Sequence, residues 1–100
     1  MAGKEIEMGH CIRNCTDCHT ACLETVSYCL ERGGQCAEAA HLNLLLVCAD
    51  ICRVSADTML RGADVHGVTC GACAEICERC ASDCERMADD ARMKRCASRT

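Results

Sequence analysis

Cysteines recur at helical spacing in two stretches of the chain. Steps of 4, 3, 4 and 7 residues separate five early cysteines, and steps of 3, 4, 3 and 4 separate five later ones. The two sets are Cys11, Cys15, Cys18, Cys22 and Cys29, and Cys70, Cys73, Cys77, Cys80 and Cys84. Residues three or four apart on a helix have Cβ atoms about 5–6 Å apart, and a soft ion bridging two thiolates spans about 4.6 Å. A cysteine pair on one helix can therefore clamp a soft metal ion.

Further potential ligands lie between and after these two sets. They are Cys36, Cys48, Cys52, Cys96, His41, His66, Met59 and Met87. Cys48 and Cys52 share a helical face with His41, whereas Cys36 falls off that face. We expect the histidines to be either auxiliary ligands at the mouth of the core or helix-end residues bonded to backbone or water. The methionines are either core residues or thioether ligands.

Charge favours Cu(I) among the soft metals that thiolates bind. Burying many thiolates without metal is costly, so the empty protein should hold neutral thiols. A Cu(I) ion that replaces one proton leaves the charge unchanged, whereas a zinc ion held by four thiolates leaves two negative charges. Zinc also needs tetrahedral convergence of ligands, which a single row of sulfurs supplies poorly. The pattern therefore predicts a monovalent soft ion bound in quantity.

Two other classes of function stay open. Zinc or iron–sulfur binding is the first, although ferredoxin clusters use a loop with the spacing C-x2-C-x2-C-x3-C-P, and this chain has no proline. The second is a thiol redox protein or a structural bundle. A thioredoxin-like enzyme needs strands beside its C-x-x-C motif, and no strand pattern is present. We therefore expect no catalytic residues.

The elements that must position these sulfurs are helices. Breaks at Gly33 and Gly34, at residues 61–64, and at Asp89 and Asp90 divide the chain into segments 5–32, 36–61, 66–87 and 90–99. Short connections between amphipathic helices predict an antiparallel up-down four-helix bundle with a cysteine-lined core and a short fourth helix. One hundred residues make one domain, residues 1–100. We expect residues 42–47, which are rich in leucine, to form an apolar plug at one end of the core.

Composition limits the class of protein further. The formal net charge is −4, with 15 acidic and 11 basic residues, which disfavours nucleic-acid binding through phosphate neutralisation. No uninterrupted run of about 18 apolar residues occurs, so we expect no membrane span. The N-terminal residues lack the apolar segment of a secretory signal, so we expect a cytoplasmic protein. Thiols stay reduced in the cytoplasm, where a cysteine-dense chain indicates metal binding more than disulfide bonds.

Two long strings carry a resemblance to a known family. They are HLNLLLVCADIC at 41–52, continued by SADTMLRG at 55–62, and CGACAEICERCASDC at 70–84. In these strings the chain resembles the bacterial copper storage proteins, which are cysteine-rich four-helix bundles. The resemblance implies Cu(I) bound along the inside of the bundle, mostly by cysteine pairs within a helix, with His and Met ligands at one open end. Family members extend the fourth helix with further cysteines after the position of Cys96, whereas only four residues follow Cys96 in this sequence. The resemblance therefore also implies that part of one groove is uncovered here.

Together, the residues and the resemblance predict a non-enzymatic, cytoplasmic protein that stores or buffers multiple Cu(I) ions. Its expected partners are copper ions, exchanged with a copper chaperone or small thiols, and further copies of the chain, because a dimer or tetramer would cover the groove. We expect the metal-free, reduced protein to be folded, because its protonated cysteine stripe is neutral.

Overall fold

A computed structural model describes residues 2–87, with side chains from residue 8 onward. Helix α1 spans Ala2–Arg32, a short 3-10 helix spans Gly34–Ala37, α2 spans Ala39–Leu60 and α3 spans His66–Glu85. No strand occurs within the described range, so the predicted all-α class is confirmed. The fourth predicted segment, 90–99, and the break before it lie outside the described residues. The four-helix count therefore stays a prediction.

Glycines with positive φ end the first two long helices. Gly33 has φ 74° and Gly62 has φ 64°, in the left-handed region that disfavours other residues. After α2, the N–H of Gly62 donates to the Met59 carbonyl at 3.1 Å, and the N–H of Ala63 donates to the Thr58 carbonyl at 3.0 Å. These are the two hydrogen bonds of a Schellman cap. Both helix breaks occur where the glycines predict them.

The second predicted segment begins differently from the expectation. Residues 36–61 were predicted as one helix, but α2 begins at Ala39 and Cys36 lies in the preceding 3-10 helix. The angular spacing of α2 therefore does not apply to Cys36, which explains why it falls off the α2 face in the sequence. The 3-10 helix instead turns Cys36 inward, where its side chain is 3% exposed.

Helix α2 packs against both α1 and α3. The contacts that the two ends of α2 make with α3 show that these two helices are antiparallel. Thr58, near the end of α2, lies 2.9 Å from Thr69 at the start of α3 (Oγ1 to Oγ1). His41, near the start of α2, contacts Asp83 near the end of α3 at 2.6 Å (Nδ1 to Oδ2).

Cysteine supplies most of the core. The main cluster of buried side chains consists of Cys18, Cys22, Cys29, Cys36, Leu45, Cys48, Ala49, Cys52, Cys73, Cys80, Cys84 and Met87. The predicted leucine-rich plug is only partly present, because Leu46 and Val47 are 41% and 48% exposed. Consecutive helical residues point about 100° apart, so the five apolar side chains cannot all face one core. Leu45 alone among them is fully buried.

By length and composition, α2 could cross a membrane. Its most apolar window has a mean hydropathy of 1.4, although the charged residues Asp50 and Arg53 interrupt the apolar run. The core helix of a soluble protein has the same properties, so this feature is weak evidence for a span. Within the described part of the chain, Cys48 and Cys52 of α2 face the sulfur-lined core instead.

Candidate metal centre

Four sulfurs from three helices meet in the middle of the core. Cys18 comes from α1, Cys48 and Cys52 from α2, and Cys77 from α3, and their Sγ atoms all lie within 4.8 Å of one another. Cys77 Sγ is 3.6 Å from the sulfurs of both Cys48 and Cys52. Cys18 Sγ is 3.8 Å from Cys48 Sγ. We call these four residues the central cluster.

The central cluster differs from the single row of sulfurs that the sequence predicts, which would supply a tetrahedral metal site poorly. The three helices instead direct four thiols toward a common point, because each contributes its cysteine face to the same core. The geometry therefore suits a four-sulfur site as well as the within-helix pairs, such as Cys73 and Cys77, whose sulfurs lie 3.8 Å apart.

The sulfurs continue in both directions from the central cluster. Toward the end of the core that contains His41 and Asp83, Cys48 also belongs to a second group with Cys22 and Cys80. All three of these residues are buried. In the other direction, the Sγ atom of Cys52 is 3.6 Å from that of Cys73. The core thus offers a continuous series of neighbouring sulfurs, and Cys48 is shared between two groups.

Two thiols of the central cluster are held in the protonated form. Hydrogen bonds with Cys18 and Cys48 favour the neutral thiol of Cys77 and raise its pKa to about 12. Hydrogen bonds with Cys15 and Cys18 likewise raise the pKa of Cys52. A metal ion that binds these sulfurs at neutral pH must therefore displace their protons.

Two other thiols of the core, Cys18 and Cys80, have lowered pKa values. Hydrogen bonds from Cys22 and Cys48 lower the pKa of Cys18, and the same two neighbours lower the pKa of Cys80. Donor thiols around a thiolate stabilise its charge. Each sulfur group thus combines a thiol that ionises readily with thiols that donate to it, which suits stepwise replacement of protons by a soft cation.

A cleft of about 970 Å³ opens onto the sulfurs at one end of the core. Among its lining residues are Cys11, Cys15, Met59, Cys70 and Cys73. Cys11 is exposed and Cys15 and Cys70 are partly buried. The cleft is also lined by Cys18, Cys52 and Cys77 of the central cluster, so an ion could reach the buried sulfurs through it. We call this end the mouth.

The remaining predicted ligands divide between the two ends. Met59 lies at the mouth, and the partly buried His66 begins α3 at that end, one turn before Cys70. Met87 and Cys84 are buried at the opposite end.

His41 lies at the end opposite the mouth. One of its two expected roles was that of an auxiliary ligand at the same mouth as His66, but α2 and α3 are antiparallel, and helix starts on adjacent antiparallel elements lie at opposite ends. Its ring nitrogen lies within 4.8 Å of the sulfurs of Cys29 and Cys36. Those two cysteines are joined by a disulfide, whereas the sequence analysis expected reduced thiols.

Asp83, near the end of α3, bonds to the buried His41. Its Oδ2 atom lies 2.6 Å from His41 Nδ1, and the Arg86 Nε donates to its Oδ1 at 2.9 Å. Burial disfavours the Asp83 carboxylate, but the hydrogen bonds from His41 and Arg86 outweigh that effect and lower its pKa. No periodicity in the sequence links residues 42 positions apart, so this partner was not predictable from the pattern.

The two histidines of α1 differ in exposure. His19 is partly buried and its Nδ1 contacts the Ala49 carbonyl at 2.8 Å. His10 is exposed, with its Nδ1 3.1 Å from an Arg13 nitrogen. Cys96, a predicted ligand, lies outside the described residues, so its role stays a prediction.

Comparison with known proteins identifies the family. The sequence model of the copper storage protein family, Csp, matches residues 4–100. Among solved structures, the Nmul_A1745 protein from Nitrosospira multiformis is similar, with a TM-score of 0.81 and 38% identity. The match covers 95% of this chain and 92% of that one. A search of curated proteins found no match. The family match covers nearly the whole chain, and we conclude that the protein belongs to the copper storage protein family.

Proposed function

We propose that the protein stores or buffers multiple Cu(I) ions on the cysteine thiols inside its helical core. It does so without catalysis, and the core is completed by the fourth helix predicted from the sequence. The observation that carries this proposal is the continuous series of buried sulfurs, with the central cluster and the Cys22, Cys48 and Cys80 group sharing a sulfur. Membership in the copper storage protein family supports copper as the cargo.

Charge balance supports a monovalent cargo. The raised pKa values of Cys77 and Cys52 keep these two thiols neutral in the empty core. Each Cu(I) ion that displaces one proton leaves the charge of the core unchanged. The core can therefore fill with ions to about one per thiol without accumulating charge.

A compartment and a route follow from the same chemistry. A thiol-based store needs reduced cysteines, so we place the protein in the cytoplasm, where thiols are kept reduced. Ions would enter and leave through the mouth, where Met59 and the exposed Cys11 can pass an ion inward by ligand exchange. The donor and acceptor of copper would be a copper chaperone or small thiols, and neither nucleic acid nor a membrane takes part.

The central cluster also favours zinc as a second candidate. Four sulfurs from three helices within 4.8 Å of one another match the ligand number of a structural zinc site. A zinc protein would bind a small, fixed number of ions, because each four-thiolate site retains two negative charges. The number of ions bound therefore separates the two candidates.

An anaerobic titration tests the proposal. The reduced full-length protein is titrated with Cu(I) in competition with a Cu(I) chelator, and separately with zinc. We expect saturation at about ten or more Cu(I) ions per chain, approaching one for each of the 14 thiols. The control is the same protein with its thiols alkylated, which should bind none. Saturation at one to about three ions, with zinc preferred over copper, would show a zinc site in place of a copper store.

A further inference from the structure

The end of the core opposite the mouth contains a separate group of potential ligands. The sulfurs of Cys29 and Cys36 and a ring nitrogen of His41 lie within 4.8 Å of one another. All three residues are buried, His41 being 2% exposed. The cysteines come from α1 and the 3-10 helix, and the histidine comes from the first turns of α2. We call these three residues the deep-end site.

The histidine of this site is oriented like a metal ligand. Its Nδ1 faces the Asp83 carboxylate, which itself accepts a hydrogen bond from Arg86. A carboxylate at Nδ1 holds the proton on that nitrogen and leaves the lone pair of Nε2 available. Nε2 is buried, and among the residues that the structure describes no group bonds to it. A buried ring nitrogen without a partner is rare in folded proteins, and a ligand would satisfy it.

The two sulfurs of the deep-end site are in a state that cannot bind a cation well. Cys29 and Cys36 share a disulfide bond, whereas the central cluster consists of thiols. Among the oxidation and protonation states of cysteine, the thiolate is the one that binds soft cations strongly. The site therefore differs from the rest of the core in that its ability to bind a metal depends on the oxidation state of its own two cysteines.

We propose that Cys29, Cys36 and His41 form a redox-gated Cu(I) site; this inference rests on the proposed copper-storage function. In the oxidised state the disulfide closes the site. Two molecules of a small thiol reductant are oxidised to their own disulfide, the bond between the two cysteine sulfurs breaks, and each sulfur gains a proton. One Cu(I) ion then displaces both protons and binds the two thiolates and His41 Nε2, while Asp83 positions the imidazole.

The number of ligands favours Cu(I) over zinc at this site. Structural zinc sites have four protein ligands, and within the described residues the group provides three. The soft thiolate pair suits Cu(I). The gate would make the capacity of the protein depend on the thiol redox state around it, because the deep-end site opens only when the cysteines are reduced.

The test compares oxidised and reduced forms of the full-length protein without oxygen. One sample is prepared without reductant, and the other is treated with a dithiol that is then removed. Disulfide mapping should find the Cys29–Cys36 bond in the first sample only. Competition titration with Cu(I) should then find one more ion bound per chain in the reduced sample. X-ray absorption of that additional copper should show a nitrogen ligand beside sulfur.

Three variants identify the residues responsible. The double variant Cys29→Ser with Cys36→Ser should lose the difference between the two samples. His41→Gln should keep the disulfide but lose the nitrogen signal, and Asp83→Asn should weaken the additional ion by about 10–100-fold. The matched control is His10→Gln, which removes an exposed histidine and should change neither quantity. Circular dichroism checks that each variant is folded, and the comparison of wild-type samples stands without any variant.

The outcomes separate this inference from the proposed function. Equal copper capacity in oxidised and reduced protein, with many ions bound in both, would overturn the gate and leave the storage function intact. Failure of both samples to bind several ions would overturn the storage function itself. Uptake of zinc in preference to Cu(I) at the reduced site, or copper there without a nitrogen ligand, would also contradict the proposed site.

Discussion

Replacing Cys48 with alanine gives a direct test of the buried sulfurs as copper ligands. The Cys48 sulfur lies 3.8 Å from that of Cys18 and 3.6 Å from that of Cys77. The same sulfur also belongs to the group formed with Cys22 and Cys80. Because one sulfur serves two groups, we expect the variant to bind about two fewer Cu(I) ions, one from each group.

The loss of copper should not come from loss of the fold. Cys48 is fully buried, with 0% exposure, and its replacement by alanine removes a single heavy atom. An Ile→Val change also removes one buried heavy atom and costs about 0.5–1.5 kcal/mol. We expect a similar decrease in the free energy of unfolding of the metal-free protein, so the helical circular dichroism spectrum should be retained.

The assay is an anaerobic competition titration, followed by chemical denaturation of the metal-free protein. Cys11→Ala is the matched control, because Cys11 is exposed and belongs to neither sulfur group. It should lose at most about one ion, with a change in unfolding free energy within about 0.5 kcal/mol. A folded Cys48→Ala protein that binds as many ions as the wild type would refute the assignment of the central cluster as a copper site.

Three further predictions concern the core, the turn after α2 and pH. Leu45→Ala should lower the free energy of unfolding by about 2–5 kcal/mol, because Leu45 is fully buried; Leu46→Ala, at a side chain that is 41% exposed, should cost far less in the same denaturation experiment. Gly62→Ala should destabilise the protein by about 1–2 kcal/mol, because Gly62 has φ 64°. Gly71→Ala should stabilise it by about 0.5–1 kcal/mol, because Gly71 lies within α3 and has open space for a methyl group. A higher denaturation midpoint for Gly62→Ala than for Gly71→Ala would contradict the role of the turn. The pKa of Cys77 is raised to about 12, so its thiol is protonated throughout the physiological range and copper must displace that proton. Cu(I) affinity should therefore weaken as pH falls, by up to about tenfold per unit for each proton displaced, and uptake in weakly buffered solution should release acid; an affinity that is constant between neutral and weakly acidic pH would contradict this.

The sequence predicted the helical class and the inward face of most cysteines. Their steps of three and four residues match the helical period, so a packed helix must place them on one face. Cys18, Cys22 and Cys80 are buried as that spacing predicts. Glycine also marked both turns correctly, because Gly33 and Gly62 adopt a conformation that other residues disfavour.

Contacts between helices could not be predicted in the same way. Periodicity assigns a residue to a face but does not say which residue of another helix lies opposite it. The pairing of His41 with Asp83 and the convergence of Cys18, Cys48 and Cys77 both depend on helix register, and register comes from packing the whole core.

The position of Cys36 shows a further limit of pattern analysis. In the sequence Cys36 falls within the segment predicted as a longer α2, and the helical period of that segment puts it off the core. Gly33 and Gly34 instead lead into a 3-10 helix with tighter winding, which has a different angular spacing. A short element of this kind carries too few residues for a period to be recognised.

The exposure of the sulfurs along α1 decreases steadily from the mouth inward. Cys11 is exposed, Cys15 is partly buried and Cys18 is buried. Ions nearest the surface should leave quickly, whereas those farther in must wait until the outer positions are vacant. The protein would then empty in layers, last in and first out, and only an outer fraction of its load would respond to a sudden demand for metal.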